Sequence, residues 1–440
     1  MTHEKIVHTL RKHHQNLEGK AVDYKDPQYL ALARQIADEI MAEGLNVVQL
    51  TDLEKHLSLE TVKQTYVNLI HLAVKLAKAK AIIQSLSGKH ISIVMPAYGE
   101  NIRMMPRGTT DGTHPNGENF IIEKSRQLKW LFDGAKNTYQ VFIVDDMSKP
   151  DPLTSGDAAR KVITDNKVPH FTVLYLKDGV ESEKGKEGIV GHALKGVNFP
   201  KNTKKAGAVY YGCAKAIEKY GTGENHIVVI TDCDLSVDLV QVGNLVQPIV
   251  MDNAAAAAGS RRLPESILEI VGSRNLRANA ARYFRQLLLP GLLPKDTQCG
   301  AKAFSAKALS DAIMADRKVL DFAFDIELLT LVALQNGAEK IVPVAVAWFD
   351  SAELTTTDSS VHFRIMEAQR EIAVANKTGS GEVFDKLVEV SELLTESEET
   401  WLAFLAQLEN NARLQEAMQS FDTSILDELK ALIQTPAKTA

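Results

Sequence analysis

Cysteine is scarce in this chain of 440 residues. Cys213, Cys233 and Cys299 stand far apart and without ligand-type spacing, which argues against a zinc site or a disulfide framework and fits a reducing compartment. Long apolar runs are absent too: none approaches the ~20 residues needed to cross a bilayer. The opening residues lack the apolar core of a secretory signal. These absences predict a cytoplasmic protein with no transmembrane segment. An excess of positive charge is also missing. The formal net charge of -6 gives no reason to expect a nucleic-acid partner. No internal repeat is visible, and the alanine run at 254–258 is too short to count as low complexity.

What is present is 45% hydrophobic and 24% charged, ordinary for a globular protein, and long enough for a central domain with additions. Residues 1–88 carry almost no strand signal. Apolar residues recur at helical spacing over 29–41 and 57–86, for example Tyr66, Leu69, Ile70, Ala73 and Ala77. Asp52 or Ser58 is expected to cap the second of these helices. The region reads as a helical preface packed on the main domain; a helical element for homo-oligomerisation is the competing idea. Residues 377–440 are helical again, with Trp401, Phe404, Leu405 and Leu408 on one stripe.

At Ile91 the grammar changes. Apolar strands at 91–95, 140–144, 171–176, 227–230, 254–260 and 341–348 alternate with helices at 121–132, 204–220, 237–247, 273–289 and 324–335. This alternation predicts an α/β domain over 89–376, with a mostly parallel sheet and right-handed crossovers. Two polar, glycine-containing stretches interrupt it. Residues 101–119 read as a mobile surface loop, and 177–203 as a lid.

The strand at 227–230 is short, apolar and β-branched, as expected of a fully buried strand. Asp232 and Asp234 follow it, one residue apart. In open α/β sheets ligands bind beyond the carboxyl ends of strands, so both acids stand where a ligand is expected. Paired hard oxygen donors suit Mg²⁺ or Mn²⁺ held jointly with substrate phosphates. The plainer alternative is a turn in which Asp234 caps a helix starting near Val237.

Six pieces in order carry a resemblance. They are Val94-Met95-Pro96-Ala97-Tyr98-Gly99-Glu100, Val144-Asp145-Asp146-Met147-Ser148, Thr231-Asp232-Cys233-Asp234-Leu235-Ser236, Gly259-Ser260-Arg261, Asp296-Thr297-Gln298-Cys299-Gly300-Ala301-Lys302 and Phe324-Asp325-Ile326-Glu327-Leu328. Over about residues 90–350 the chain resembles the inverting GT-A glycosyltransferases of family 2, and among them the dolichyl-phosphate glucosyl- and mannosyltransferase branch. The resemblance implies a Rossmann-like GT-A fold and a nucleotide-diphosphate sugar donor, such as UDP-glucose or another UDP- or GDP-sugar. It places Pro96, Tyr98 and Glu100 near the nucleotide and Asp146 on the base or ribose. Asp232 lies towards the ribose and shares the metal site, with Asp234 as the metal ligand. Lys205 and Arg261 add charge near the phosphates. A divalent ion on the pyrophosphate makes it a better leaving group.

The acceptor is left open as a sugar, a small alcohol or a phosphate. A hydroxyl acceptor needs a general base, and the candidates are Asp296, Asp325 and Glu327, with Asp325 first. Asp325 and Glu327 are two apart at a helix start, so they diverge by about 200° and only one faces the site. The chain departs from the pattern in Gly99, where an asparagine is usual, and in the stretches 101–119 and 177–203. Two other readings stand beside the glycosyltransferase: a sugar-nucleotide nucleotidyltransferase and a non-catalytic binding protein on a degenerate scaffold. The first calls for a basic glycine-rich loop after the first strand. Residues 99–108 offer only Arg103 and Arg107.

Overall fold

The apolar runs assemble as a seven-stranded sheet in the computed structural model, which describes residues 2–59, 65–201, 203–269, 275–350 and 359–434. Four helices come first: α1 Thr2–Leu17, α2 Pro27–Ala42, α3 Val47–Leu59 and α4 Thr65–Ser85. Next are β1 Ser87–Ala97, α5 Asn101–Met104, α6 Phe120–Phe132, β2 Lys136–Asp145, α7 Ser155–Asp165 and β3 Phe171–Tyr175. Then come α8 Leu176–Ser182, α9 Ile189–Ala193, α10 Ala206–Tyr220, β4 His226–Ile230, α11 Val242–Met251 and β5 Ala256–Ser260. They are followed by β6 Ile267–Glu269, α12 Asn275–Leu288, β7 Lys302–Ser305, α13 Ala306–Met314, α14 Phe324–Asn336, β8 Ile341–Ala345 and β9 Ala347–Phe349. The last five helices are α15 Ser359–Asn376, α16 Glu382–Leu394, α17 Glu398–Glu409, α18 Ala412–Gln419 and α19 Leu426–Gln434.

The fold is mixed α/β with a mostly parallel sheet in the order β3-β2-β1-β4-β7-β5-β8. Only β7 runs against its neighbours, β4 and β5. Every residue of β4 is buried, and alternate side chains enter the two faces. Val94, Val144, Val228 and Ile230 join an apolar cluster with α10, α12, α14 and the C-terminal helices. Ile91, Ile93, Ile143, Ile227 and Val229 join the other, with α2, α4, α6 and α11. The stripe of α4 is thus covered within the chain: Leu69, Ile70, Ala73 and Ala77 are buried, while the Tyr66 side chain lies outside the described residues. Trp401, Phe404, Leu405 and Leu408 are buried in the first cluster.

Several expectations change. The helix expected over 57–86 is two helices, α3 and α4, with 60–64 outside the described residues. Asp52 and Ser58 cap nothing, since both lie inside α3; the Ser58 hydroxyl donates back to the Lys55 carbonyl. The start of the helix expected at 273 also lies outside the described residues. The helix expected from Val237 begins as a 3₁₀ turn at Leu239, and its cap is Asp238, which accepts from the Val240 amide. The final strand is broken at Val346 into β8 and β9, and β9 pairs with β6 in a separate two-stranded sheet. Residues 101–119 are not a structureless loop: they hold α5, and Met104 and Glu118 are buried. Within 177–203, Val190, Ala193, Leu194 and Val197 enter the core, and Arg317 donates to the Ala193 carbonyl at 3.2 Å. Among the described residues no helix is long and apolar enough to cross a membrane.

At the opposite end of the sheet from the acids, His226 donates through Nδ1 to the Gly221 carbonyl at 2.6 Å, so its Nε2 accepts from Ser92 at 2.9 Å. Burial pushes the His226 imidazole below its ordinary pKa, and pushes His90 and the α4 residue His71 down to about 4. Because the folded values are depressed, the stabilisation is complete above the unfolded value of about 6.5 and is lost as pH falls towards 4. Denaturant unfolding should therefore show the protein more stable at pH 7 than at pH 5, with buried His71 contributing on the order of 1–2 kcal/mol. Equal stabilities at the two pH values would contradict this assignment.

Candidate active site

Because β1, β2, β4 and β5 are mutually parallel, their carboxyl ends share one edge, and the amino end of antiparallel β7 meets it. Lys302 stands opposite Ile230 on one side and Ala258 on the other. The sequence-predicted residues therefore gather along one line: Tyr98 after β1, Asp146 after β2, Asp232 and Asp234 after β4, Arg261 after β5, and the 296–302 loop before β7.

At the centre is a chain of alternating charge. Lys205 ion-pairs with Asp232, and Lys302 pairs with Asp325 at 2.9 Å. Burial alone lowers a lysine pKa, but Asp232, Asp325 and Asp234 together hold Lys205 above its ordinary value. Burial works to raise Asp232, and Lys205, Lys302 and Lys124 outweigh it and lower the group. The Asp232 side chain keeps 39% of its surface exposed, so it stays open to a ligand. Gly300 lies directly against it. A Cβ at that position would collide with the Asp232 carboxylate, which accounts for glycine in the loop.

Asp234 is in a different field. Among the described residues its Oδ1 accepts only the Ser236 amide, at 3.1 Å. Burial, then Asp232 and Glu118, push its pKa up. Glu100 is likewise pushed up to about 7 by burial, against the pull of Arg103, with which it pairs at 2.8 Å. Glu118 accepts the Leu235 amide at 2.8 Å and pairs with Lys25 at 2.9 Å. Underneath lies Lys124 of α6, fully buried, whose Nζ has no hydrogen-bond partner among the described residues.

Asp234, which has no cation paired with it among the described residues, offers hard oxygen donors that fit a divalent cation. Among the described residues no set of three protein ligands is assembled, so such an ion would need oxygens from a substrate as well. Asp234 is the better protein ligand, since Asp232 is already engaged by Lys205.

Other predicted residues have partners within the chain. Asp146 is buried, and its two carboxylate oxygens accept the Thr203 amide, the Thr203 hydroxyl at 2.7 Å and the Lys205 amide at 2.9 Å. It thereby holds Lys204 and Lys205 at φ of 46° and 89°, a left-handed backbone that L residues rarely adopt. The strained entry aims Lys205 at Asp232. Asp146→Ala should lower unfolding free energy by roughly 2–4 kcal/mol, because several buried donors lose a charged acceptor. Chemical denaturation measures this, and a change below about 0.5 kcal/mol would show that the clamp does not matter.

Asp296 is gripped by Arg261 through Nε and Nη2 at 2.9 Å each and through the backbone amide. Burial opposes ionisation there, but the guanidinium prevails and lowers the carboxyl to about 2. That makes Asp296 a poor proton acceptor. Glu327 accepts the Lys318 and Val319 amides at 2.6 and 2.9 Å and braces the loop before α14. Asp325, on the other side of the helix, meets Lys302. The Pro96 carbonyl accepts the Cys233 thiol, and Tyr98 is exposed at the end of β1.

Lys124, Glu118 and Lys25 carry no sequence signal of a site role, and Lys302 and Arg103, though visible in the sequence, gain one only from their partners Asp325 and Glu100. A basic group also stands beside the 296–300 loop. Arg285 of α12 is buried, donates to Thr297 at 3.0 Å and to the Lys295 carbonyl at 2.6 Å, and is pushed down to about 10 by burial, Arg262, Arg282 and Arg261. Neither end of the Gln298 amide has a partner among the described residues. The one available signal was the basic residues at 282 and 285, three apart and so on one helix face.

No protein-family model matches the chain. Among curated proteins, glycosyltransferase AglD of Haloferax volcanii is 28% identical over 138 residues, 31% of this chain and 22% of that protein's length. Among solved structures, mannosyl-3-phosphoglycerate synthase of Rubrobacter xylanophilus aligns with a TM-score of 0.45 at 12% identity, covering 70% of this chain and 82% of that one. Glucosyl-3-phosphoglycerate synthase of Mycobacterium tuberculosis, in complex with Mn²⁺ and uridine-diphosphate-glucose, aligns with a TM-score of 0.41 at 14% identity, covering 70% and 84%. The same enzyme with phosphoglyceric acid gives 0.43 at 13% identity, covering 68% and 84%.

Proposed function

We propose that the protein is a glycosyltransferase of the GT-A type, related to family 2. It moves a hexose from a UDP- or GDP-sugar to an acceptor bearing an anionic group, with inversion, and depends on Mg²⁺ or Mn²⁺. The observation that carries this reading is the Asp232–Asp234 pair at the end of the central strand, beside Lys205 and the Asp325–Lys302 pair. Asp234 would hold the cation, and Asp232 orients Lys205 and faces the ribose. When bound, the cation would offset charge on the departing nucleoside diphosphate.

Lys205, at the entrance to α10, adds a fixed positive charge near the same phosphates. Tyr98 and Glu100, at the end of β1, border the nucleotide, and Asp146 supports that side through Thr203 and Lys205 rather than by direct contact. On the acceptor side, Arg262, Arg282 and Arg285 make a positive field, and Gln298 offers an unpartnered amide. A phosphate or carboxylate on the acceptor answers that field. A hydroxyl nucleophile would pass its proton to Asp325, which Lys302 holds in position.

Incubation with a panel of UDP- and GDP-sugars, Mn²⁺ and phosphorylated or carboxylated alcohols tests the reading. Transfer, or slow donor hydrolysis, is the expected result. Pyrophosphate exchange would point to a nucleotidyltransferase instead, and no turnover with no binding to a scaffold that has lost its chemistry.

A further inference from the structure

The turn that carries Asp234 has little support of its own. Inside it there is one hydrogen bond, from the Ser236 amide to Asp234. From outside, the Cys233 thiol donates to the Pro96 carbonyl just before Asp234, and two further contacts hold the backbone that follows it. The Leu235 amide donates to Glu118 at 2.8 Å, and the Phe349 amide donates to the Ser236 carbonyl at 2.9 Å. Glu118 and Phe349 are both backed by consecutive residues of the segment between α1 and α2. Lys25 pairs with Glu118 at 2.9 Å, and the two side chains are nearly buried. The Tyr24 ring is stacked on Phe349, with centroids 3.9 Å apart and planes 6° from parallel, and both residues are buried.

The segment is itself anchored. The Lys25 amide donates to Asp23 at 2.9 Å, Asp23 pairs with Arg107 of the 101–119 stretch, and Asp26 caps α2 by accepting the Gln28 amide.

We infer that Tyr24 and Lys25 form a clamp that positions Asp234 for the divalent cation, so that cation affinity is set from the N-terminal segment. The inference rests on the proposed metal role of Asp234. Tyr24 and Lys25 are positioning residues: they act through Phe349 and Glu118 on the two backbone groups that follow Asp234. Partners behind a metal ligand typically change affinity 10–100-fold when removed, because they hold the ligand in the one orientation that suits the ion.

The sign of the effect separates the clamp from simple electrostatics. Lys25 is a cation near a cation site, so by Coulomb's law alone its removal should tighten Mn²⁺ binding. Loss of a clamp should weaken it.

The experiment is calorimetric titration of Mn²⁺ into full-length protein with UDP or GDP present, for the wild type and for Tyr24→Leu, Lys25→Met and Asp234→Asn. Thermal melts confirm that each variant is folded, and metal-free nucleotide affinity serves as the internal control. The clamp predicts that Tyr24→Leu and Lys25→Met each weaken Mn²⁺ about tenfold while metal-free nucleotide affinity is unchanged, and that Lys25→Arg restores most of the loss. If wild type binds Mn²⁺ and Asp234→Asn does not, yet Tyr24→Leu and Lys25→Met bind it as wild type does or more tightly, the clamp is wrong. If wild type itself shows no Mn²⁺ site, the functional reading fails and takes the clamp with it. If Tyr24→Leu does not fold, the sign of the Lys25→Met change decides alone.

Discussion

Asp325→Asn should lower turnover with a hydroxyl acceptor by roughly 10²–10⁴, with donor affinity nearly unchanged. Three carboxylates compete for the part of general base, and their surroundings separate them. Asp296 is held by Arg261 and lowered to about 2, which leaves it too weak a base for the task. Glu327 is committed to the Lys318 and Val319 amides. Asp325 remains, at the start of α14, close enough to Lys205 to help hold that lysine's proton. Asparagine keeps the shape and removes the proton acceptor. It also leaves Lys302, which is 1% exposed, without its counter-charge, so the variant should melt earlier. Asp325→Glu separates the two effects, since it restores the charge at a shifted position. Full turnover in a folded Asp325→Asn variant would mean either that the base is Asp296 or Glu327 or that the true nucleophile is already an anion, as a phosphate acceptor would be.

The second large effect concerns the acid pair. Asp234→Asn removes one anionic oxygen at nearly constant volume, and donor binding in Mn²⁺ should fall to the level seen in chelator. Asp232→Asn should weaken the donor with and without metal, because it also frees Lys205. Thermal shift with each nucleotide sugar, in Mn²⁺ and in chelator, reads both outcomes. A ligand at a hundred times its dissociation constant contributes about 2.7 kcal/mol of apparent stability, so loss of binding is visible. Unchanged metal dependence in Asp234→Asn would remove that residue from the cation site.

Much of this was legible in the sequence where chemistry and pattern coincide. β1, β2 and β4 announce themselves as apolar runs, and acids that end such runs stand at the ligand edge of the sheet. The antiparallel β7 was not legible: it has four residues, and one is Lys302, whose burial makes sense only once Asp325 is beside it. Residue types at the site could be read, but not their partners. Asp146 looks like any strand-end acid until Thr203 and Lys205 are seen on its oxygens, and Asp296 looks like a base until Arg261 is seen to grip it. Lys25 and Glu118 come from polar segments without period. Their role depends on contacts between distant parts of the chain, which no local pattern encodes.

The central claim is that the Asp232–Asp234 edge binds a nucleotide-diphosphate sugar through a divalent cation. Calorimetric titration of UDP- and GDP-sugars into the wild-type protein, with Mn²⁺ and then with chelator, tests it most directly. The account predicts that at least one donor binds in Mn²⁺ and binds at least tenfold more weakly in chelator, a difference of about 1.4 kcal/mol. Binding that is indifferent to the metal, or no binding of any nucleotide sugar in either condition, would contradict it.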